Sequence, residues 1–237
     1  MINVNTVYQT VLFILNKEQR GYMTPAEFNS LATQVQLEIF DKYFEDLNVF
    51  LRQMGNESEY ANRVKTVEEK ISIFEEQKTL QTPYDLTTLT PSFYKLGTVT
   101  YSKSSANPFG PEYPIMLEEI TQNEFDLVNR SPLTRPSEMF PVFTLRNNQL
   151  KISPSIVEVT INYVRKPQDI VWNYSVGQPL GQYIYTPTGS QDFELSSIEQ
   201  TEVIIKILQY AGIIIRDPQI VQTAAALSQQ DEMAEKT

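Results

Sequence analysis

The chain has 237 residues, 41% of them hydrophobic, a formal charge of −10, and neither cysteine nor histidine. That length can bury a sizeable core in one large or two modest domains. The missing residue types exclude disulfides, thiolate and imidazole metal sites, Ser-His-Asp triads and Cys-His dyads.

The first stretch, MINVNTVYQTVLFILNKEQRG, lacks a basic leader region, and its apolar residues recur at helical spacing. The expectation is an amphipathic helix of the fold instead of an export signal. Asn5 or Thr6 can cap it, Val7, Tyr8, Val11, Leu12, Ile14 and Leu15 face inward, and Arg20-Gly21 suits its end. No apolar run along the chain reaches bilayer length, so no membrane anchor is expected.

From Thr24 to Leu51 the pattern predicts a long helix, with Thr24 and Glu27 forming a capping box around Pro25. It carries two apolar stripes, Phe28, Leu31, Val35, Ile39, Tyr43 and Leu47 on one side, and Leu37, Phe40, Phe44 and Leu51 on an adjoining side. Gln34, Glu38, Asp41 and Glu45 form a narrow polar edge. One packing layer needs one stripe; two stripes imply two partners, from the same chain or from a neighbouring subunit. Met54-Gly55-Asn56 breaks the pattern, and a third helix is predicted over Glu57–Gln77. Its core stripe is Val64, Val67, Ile71 and Phe74, and its charged residues read as a solvated face.

At Thr82-Pro83 the character changes. Twelve of the 14 prolines lie in a central block, which argues against long helices there. Short β-type runs fall between them at Tyr94–Tyr101, Ile115–Glu119, Val142–Arg146, Gln149–Ile152 and Ile156–Arg165. In the last, Val157, Val159, Ile161 and Tyr163 alternate with a mostly polar face. Asn147-Asn148 reads as a hairpin turn, and Thr121 with Glu124 as a second capping box, opening a short helix that ends near Arg130. Tyr183–Tyr185 is either a strand or a loop segment. Helical coding returns at Glu194, where Ser196 and Glu199 predict a third capping box ahead of Val203, Ile204, Ile207, Leu208, Ala211 and Ile214/Ile215. Asp217-Pro218 stops that helix and starts another, with Ile220, Val221, Ala224, Ala225 and Leu227 leading into a polar tail.

The predicted fold class is α+β: a helical bundle from N- and C-terminal helices with an inserted antiparallel β domain. The corresponding divisions are residues 1–80, 81–192 and 193–237, with a projecting arm at about 172–190.

No catalytic, cofactor-binding or metal-binding residues are nominated. The neighbouring carboxylates Glu118-Glu119, Glu68-Glu69 and Glu75-Glu76 diverge on any regular backbone. Asp41, Glu45 and Asp46 could offer oxygens to a cation, but an acidic helix edge with Glu38–Lys42 paired at i+4 explains them as well. No glycine-rich phosphate loop is present. Phe140, Phe143, Tyr163, Trp172, Tyr174, Tyr183 and Tyr185, with Arg135, Arg146, Lys151, Arg165 and Lys166 nearby, could form a stacking surface for single-stranded nucleic acid. Packing of a β domain is the competing account, because residues 91–165 are charge-balanced and phosphate binding demands a basic excess. The Trp- and Tyr-rich segment suits a subunit contact. The interface candidates are therefore Leu37, Phe40, Phe44, Trp172, Tyr174, Tyr183 and Tyr185.

Four passages carry a resemblance: Gly21-Tyr22-Met23-Thr24-Pro25-Ala26-Glu27-Phe28-Asn29, Gln36-Leu37-Glu38-Ile39-Phe40, Tyr163-Val164-Arg165-Lys166-Pro167 and Ala211-Gly212-Ile213-Ile214-Ile215-Arg216-Asp217-Pro218. Together they resemble the head–tail connector or ring (adaptor-type) proteins of crAss-like and related podovirus-type tailed bacteriophages. The resemblance implies a virion structural protein and no enzyme. It implies a helical bundle with a β insertion, assembled in the host cytoplasm as a ring, usually a dodecamer, between the portal protein and tail or further ring proteins. DNA would pass through its channel without specific binding, and an acidic wall would repel it. The alternative from residue chemistry is a single-stranded nucleic-acid or protein binding module outside the virion.

Overall fold

A computed structural model of the chain describes residues 1–17, 22–52, 58–89, 92–103, 113–178 and 181–215, with 222–223, 226 and 229–230. It shows mixed α+β architecture with helices on both sides, in sequence, of the strand region. Two compact units emerge, Met1–Ile73 with Pro167–Thr237, and Phe74–Lys166. These divisions fall at 73/74 and 166/167, where the sequence reading places them at 80/81 and 192/193.

In the first unit, α1 (Val4–Lys17), α2 (Pro25–Arg52) and α3 (Ser58–Ser72) precede the inserted unit, and α5 (Gln200–Ile215) follows it. α2 packs against α3 and α5, and α1 against α5. The 28 residues of α2 make a rod of about 42 Å at 1.5 Å per residue. Its predicted capping box is present: the Thr24 amide and hydroxyl donate to Glu27 Oε2 at 2.8 and 2.7 Å, and the Glu27 amide donates to Thr24 Oγ1 at 3.4 Å. For α1 the cap is Asn3, whose Oδ1 accepts the Thr6 amide at 3.1 Å, leaving Asn5 free for another task. The predicted ends at Arg20-Gly21 and Met54-Gly55-Asn56, the stop at Asp217-Pro218, and the apolar positions Ile220, Val221, Ala224, Ala225 and Leu227 lie outside the described residues.

The second unit is built from strands. β1 (Glu75–Gln81), β2 (Phe93–Lys103), β3 (Tyr113–Met116) and β7 (Glu158–Arg165) form an antiparallel sheet in the order β1-β7-β2-β3. β4 (Glu118–Glu119), β5 (Val142–Arg146) and β6 (Gln149–Ser153) form a second sheet, in which the short β4–β5 pair is parallel, a departure from the wholly antiparallel expectation. Asn147 and Asn148 have φ of 51° and 58°, the double left-handed geometry that a two-residue type I′ hairpin requires. Val159, Ile161 and Tyr163 point into the core as their alternation predicts, beside Val99, Leu117, Phe143 and Leu150, whereas Val157, the first of that series, precedes β7 and is exposed. At Gly97 a β-carbon would lie 2.8 Å from the Asn162 carbonyl oxygen, so the irregular β2–β7 register between Leu96 and Val99 needs glycine there. α4 (Gln122–Arg130) begins in the predicted capping box of Thr121 and Glu124.

The third predicted helix is too long. It ends at Ser72, and Glu75–Gln81 is a strand that pairs with β7 from Glu75↔Val164 to Gln81↔Glu158. The sequence EEQKTLQ has helix-forming side chains, but an edge position beside β7, whose inner face is Val159, Ile161 and Tyr163, overrides weak local preference.

One polar ladder holds the first unit together. On α2, Asn29, Thr33 and Gln36 sit at i, i+4 and i+7, one face of a helix. Asn29 Oδ1 accepts the Trp172 amide at 2.8 Å, Thr33 Oγ1 accepts the Ile170 amide at 3.0 Å, and Gln36 Nε2 donates to the Gln168 carbonyl at 2.8 Å. Gln36 Oε1 also accepts the Glu194 amide at 2.9 Å, and the buried Glu194 carboxylate accepts the Gln168 amide at 2.9 Å. An extended segment whose one strand contact among the described residues is the bridge Val171↔Gln191 thus has most of its part-buried backbone groups satisfied by side chains of α2 and by Glu194.

Gln36→Leu strands the Gln168 carbonyl and the Glu194 amide, so urea unfolding of the full chain should show a loss of about 2 kcal/mol or more. Gln34→Leu, on the exposed side of the same helix, should stay within about 0.5 kcal/mol. Glu27 gives a pH test. Hydrogen bonds from the Thr24 hydroxyl, then from its amide, hold the Glu27 carboxyl below its ordinary value of 4.5. Its stabilisation is therefore complete above 4.5 and is lost as pH falls through the lower folded value. Because glutamine can also close the box, Glu27→Gln should match the parent near neutral pH and lose less stability between pH 5 and the acid limit, as read from denaturation midpoints across that range.

Candidate interaction arm

Residues Ile170 to Gln191 contain no Asp, Glu, Lys or Arg, although charged residues make up 20% of the chain. Within them β8 (Tyr174–Gly177) and β9 (Gln182–Tyr185) form a two-stranded hairpin with Tyr174↔Tyr185, Ser175↔Ile184, Val176↔Tyr183 and Gly177↔Gln182 opposed. The open choice at Tyr183–Tyr185 is thereby resolved as a strand. A two-stranded hairpin is at best marginally stable in water by itself, so its root matters.

The root is Trp172, 2% exposed. Its indole Nε1 donates to Asn5 Oδ1 at 3.0 Å, which is the use the chain makes of Asn5. Rings run from the core to the surface: Phe28 lies 4.8 Å from Tyr8, Tyr8 4.4 Å from Trp172, and Trp172 stacks on Tyr174 and Tyr185 at 5.8 and 5.6 Å. Tyr183 meets Tyr174 edge-on at 4.9 Å. Burial, and then the neighbouring Tyr22 hydroxyl, push the Tyr8 phenol above its ordinary range. That phenol donates to the Met23 carbonyl at 3.1 Å. Asn173 and Ser190 close the base of the hairpin, with Asn173 Nδ2 donating to the Thr188 carbonyl at 2.8 Å and the Asn173 amide donating to Ser190 Oγ at 3.0 Å. Beyond this base, Tyr174 (37%), Val176, Tyr183 (40%) and Ile184 are exposed.

The seven interface candidates therefore separate. Trp172 and Phe40 are core residues of a single chain, Phe40 being 1% exposed. Leu37 and Phe44 are half-buried, with Phe44 edge-on to Phe40 at 5.1 Å. Tyr185 is half-buried at the root, while Tyr174 and Tyr183 remain available for a partner. The proposed stacking surface loses Phe143 and Tyr163, which are buried. Arg165 is taken by Glu76 at 2.9 Å and lies 5.6 Å over the Phe74 ring.

A pocket of about 300 Å³ in the same unit is lined by Ile39, Tyr43, Val67, Lys70, Glu199 and neighbouring residues. Glu199 was expected to cap a helix, but Ser196 makes no side-chain cap and the carboxylate turns inward. It is 6% exposed, accepts a hydrogen bond from the Tyr43 hydroxyl, and pairs with Lys70 Nζ at 2.9 Å. It ties the turn Ser197–Glu199 to α2 and α3. Nearby, Lys42 reaches Glu202 at 3.3 Å, and Glu38 reaches Lys206 at 3.6 Å and the Tyr210 hydroxyl. The expected Glu38–Lys42 pairing is thus replaced by ion pairs that stitch this edge of α2 to α5. Among the described residues, Asp41, Glu45 and Asp46 belong to no cluster that could hold a metal ion.

Sequence reasoning passed over Asn29, Thr33, Gln36 and Glu194. The available signal was a third polar line at i, i+4 and i+7 between the two apolar stripes, containing Asn and Thr, which are weak helix formers.

No protein-family model matches the chain, and no curated protein matches it.

Lys70 is half-buried but is the charge partner of the buried Glu199 carboxylate, so removing it leaves that carboxylate uncompensated. Lys70→Met should therefore destabilise the first unit by about 3 kcal/mol in denaturant unfolding. The double change Lys70→Met with Glu199→Met should recover much of that loss, a pattern that surface charge loss would not produce.

Proposed function

We propose that this protein is a structural component of a phage virion that assembles as a ring in the head–tail connector, between the portal and the tail. The observation that carries the reading is the hairpin arm. It is an uncharged element on a highly acidic chain, rooted firmly in the core and presenting Tyr174, Val176, Tyr183 and Ile184 to solvent. Side chains of this kind are the anchors of protein interfaces.

Two further points support it. Residues that carry the resemblance have scaffold roles: Thr24 and Glu27 cap α2, Asn29 and Gln36 belong to the polar ladder, and Tyr163-Val164-Arg165-Lys166-Pro167 leads directly into the segment that the ladder grips. The net charge of −10 suits a wall past which DNA must slide without adhering. On this reading the partners are copies of the chain, usually twelve, with a portal and tail proteins above and below.

Mass spectrometry of purified virions of the encoding phage should find the chain at a copy number matching a single ring. Electron microscopy of the connector should show it as a closed cyclic layer. Its absence from virions overturns the proposal.

A further inference from the structure

We infer that the arm joins copies of the chain edge to edge, β8 of one hairpin against β9 of the next, so that successive arms build one continuous intersubunit sheet. This rests on the ring reading above and specifies the interface that such a ring would use.

The inference begins with how the other sheet edges are treated. An open strand edge is a template for pairing with another chain, and proteins blunt it with charge, proline or irregularity. β1, at one edge of the four-stranded sheet, carries Glu75, Glu76 and Lys78. β3, at the other edge, contains Pro114. In the three-stranded sheet, β4 consists of Glu118 and Glu119, and β6 carries Lys151. β8 and β9 have outer edges with no strand partner among the described residues, and neither Tyr174–Gly177 nor Gln182–Tyr185 contains a charge or a proline. Of the strands described, these two alone keep unguarded edges.

Charge selects the occupant. Each copy carries −10, so two copies repel wherever their acidic surfaces meet. The 22 residues from Ile170 to Gln191 are free of charge and allow close approach without that cost. A basic partner, by contrast, would find no carboxylate on the arm to recognise. The mode of pairing follows from the two edges being different surfaces. β8 against β9 is a heterologous contact that can continue around a closed ring, whereas β8 against β8 or β9 against β9 stops at two copies. Trp172 stacked on both Tyr174 and Tyr185 holds the hairpin in place before it meets a neighbour, which lowers the entropy lost on pairing.

The chain has no cysteine, so introduced thiols report without background. Ser175→Cys and Ile184→Cys lie on one face of the hairpin, at exposed positions on β8 and β9. Each variant is prepared alone, and the two are mixed before assembly and mild oxidation. The expected result is a disulfide-linked dimer in the mixture, several-fold more abundant than in either variant by itself. Equal dimer yield in a single variant overturns the head-to-tail pairing. So does a ring seen by electron microscopy without any mixed dimer, and that outcome leaves the connector reading standing. Mixed dimers from a chain absent from virions support the edge pairing while removing the connector reading.

Discussion

Everything in the first unit depends on a helix accepting an extended segment as though it were a strand. Residues Gln168 to Trp172 run along α2 with no β partner except the bridge at Val171↔Gln191. Ile170 and Trp172 are buried, and a buried amide there would cost about 1–3 kcal/mol if left unpaired. Asn29, Thr33 and Gln36 supply the missing donors and acceptors, and the Glu194 carboxylate supplies one more. Because the segment is held there, Trp172 is delivered to Tyr8 and the chain leaves the core at a fixed point and direction. The N-terminus joins the same arrangement through the backbone pairing of Ile2 with Phe193 and the bond from the Val4 amide to Asp192 at 2.8 Å.

The parts of this fold that were legible in the sequence are those that depend on local pattern. The capping boxes at Thr24 and Thr121, the double-asparagine turn, and the alternation over Val159, Ile161 and Tyr163 each follow from a few neighbouring residues. The parts that were not legible depend on what lies opposite. Glu75–Gln81 has helix-forming composition and is a strand because β7 offers it an edge. Ser196 and Glu199 have capping-box spacing, yet Glu199 turns to Lys70 and Tyr43, where a half-buried cation and a hydroxyl outbid the amides of a helix end. Phe40 and Trp172 fit the profile of interface anchors, but large apolar side chains serve the core equally well. Of the seven interface candidates, Tyr174 and Tyr183, just past the buried root, keep the most exposure.

The two units treat their surfaces in opposite ways. The strand unit protects its sheet edges with glutamate, lysine and proline, and it completes its own core around Val159, Ile161 and Tyr163. The helical unit carries the one hairpin on which such protection is absent. The chain guards four sheet edges and leaves the two outer edges of one hairpin bare, on a stretch free of charge.

The position of Trp172 has an optical consequence. It is the sole tryptophan in the chain, and it sits where the buried core gives way to the arm, with Tyr8 on the core side and Tyr174 and Tyr185 on the arm side. Its indole N–H is fixed on Asn5. The protein therefore carries an intrinsic fluorophore at the root of the arm, shielded from water and bordered by tyrosines that can transfer excitation to it. Emission from this single residue registers any change in how the arm is seated, and it does so in the unlabelled chain.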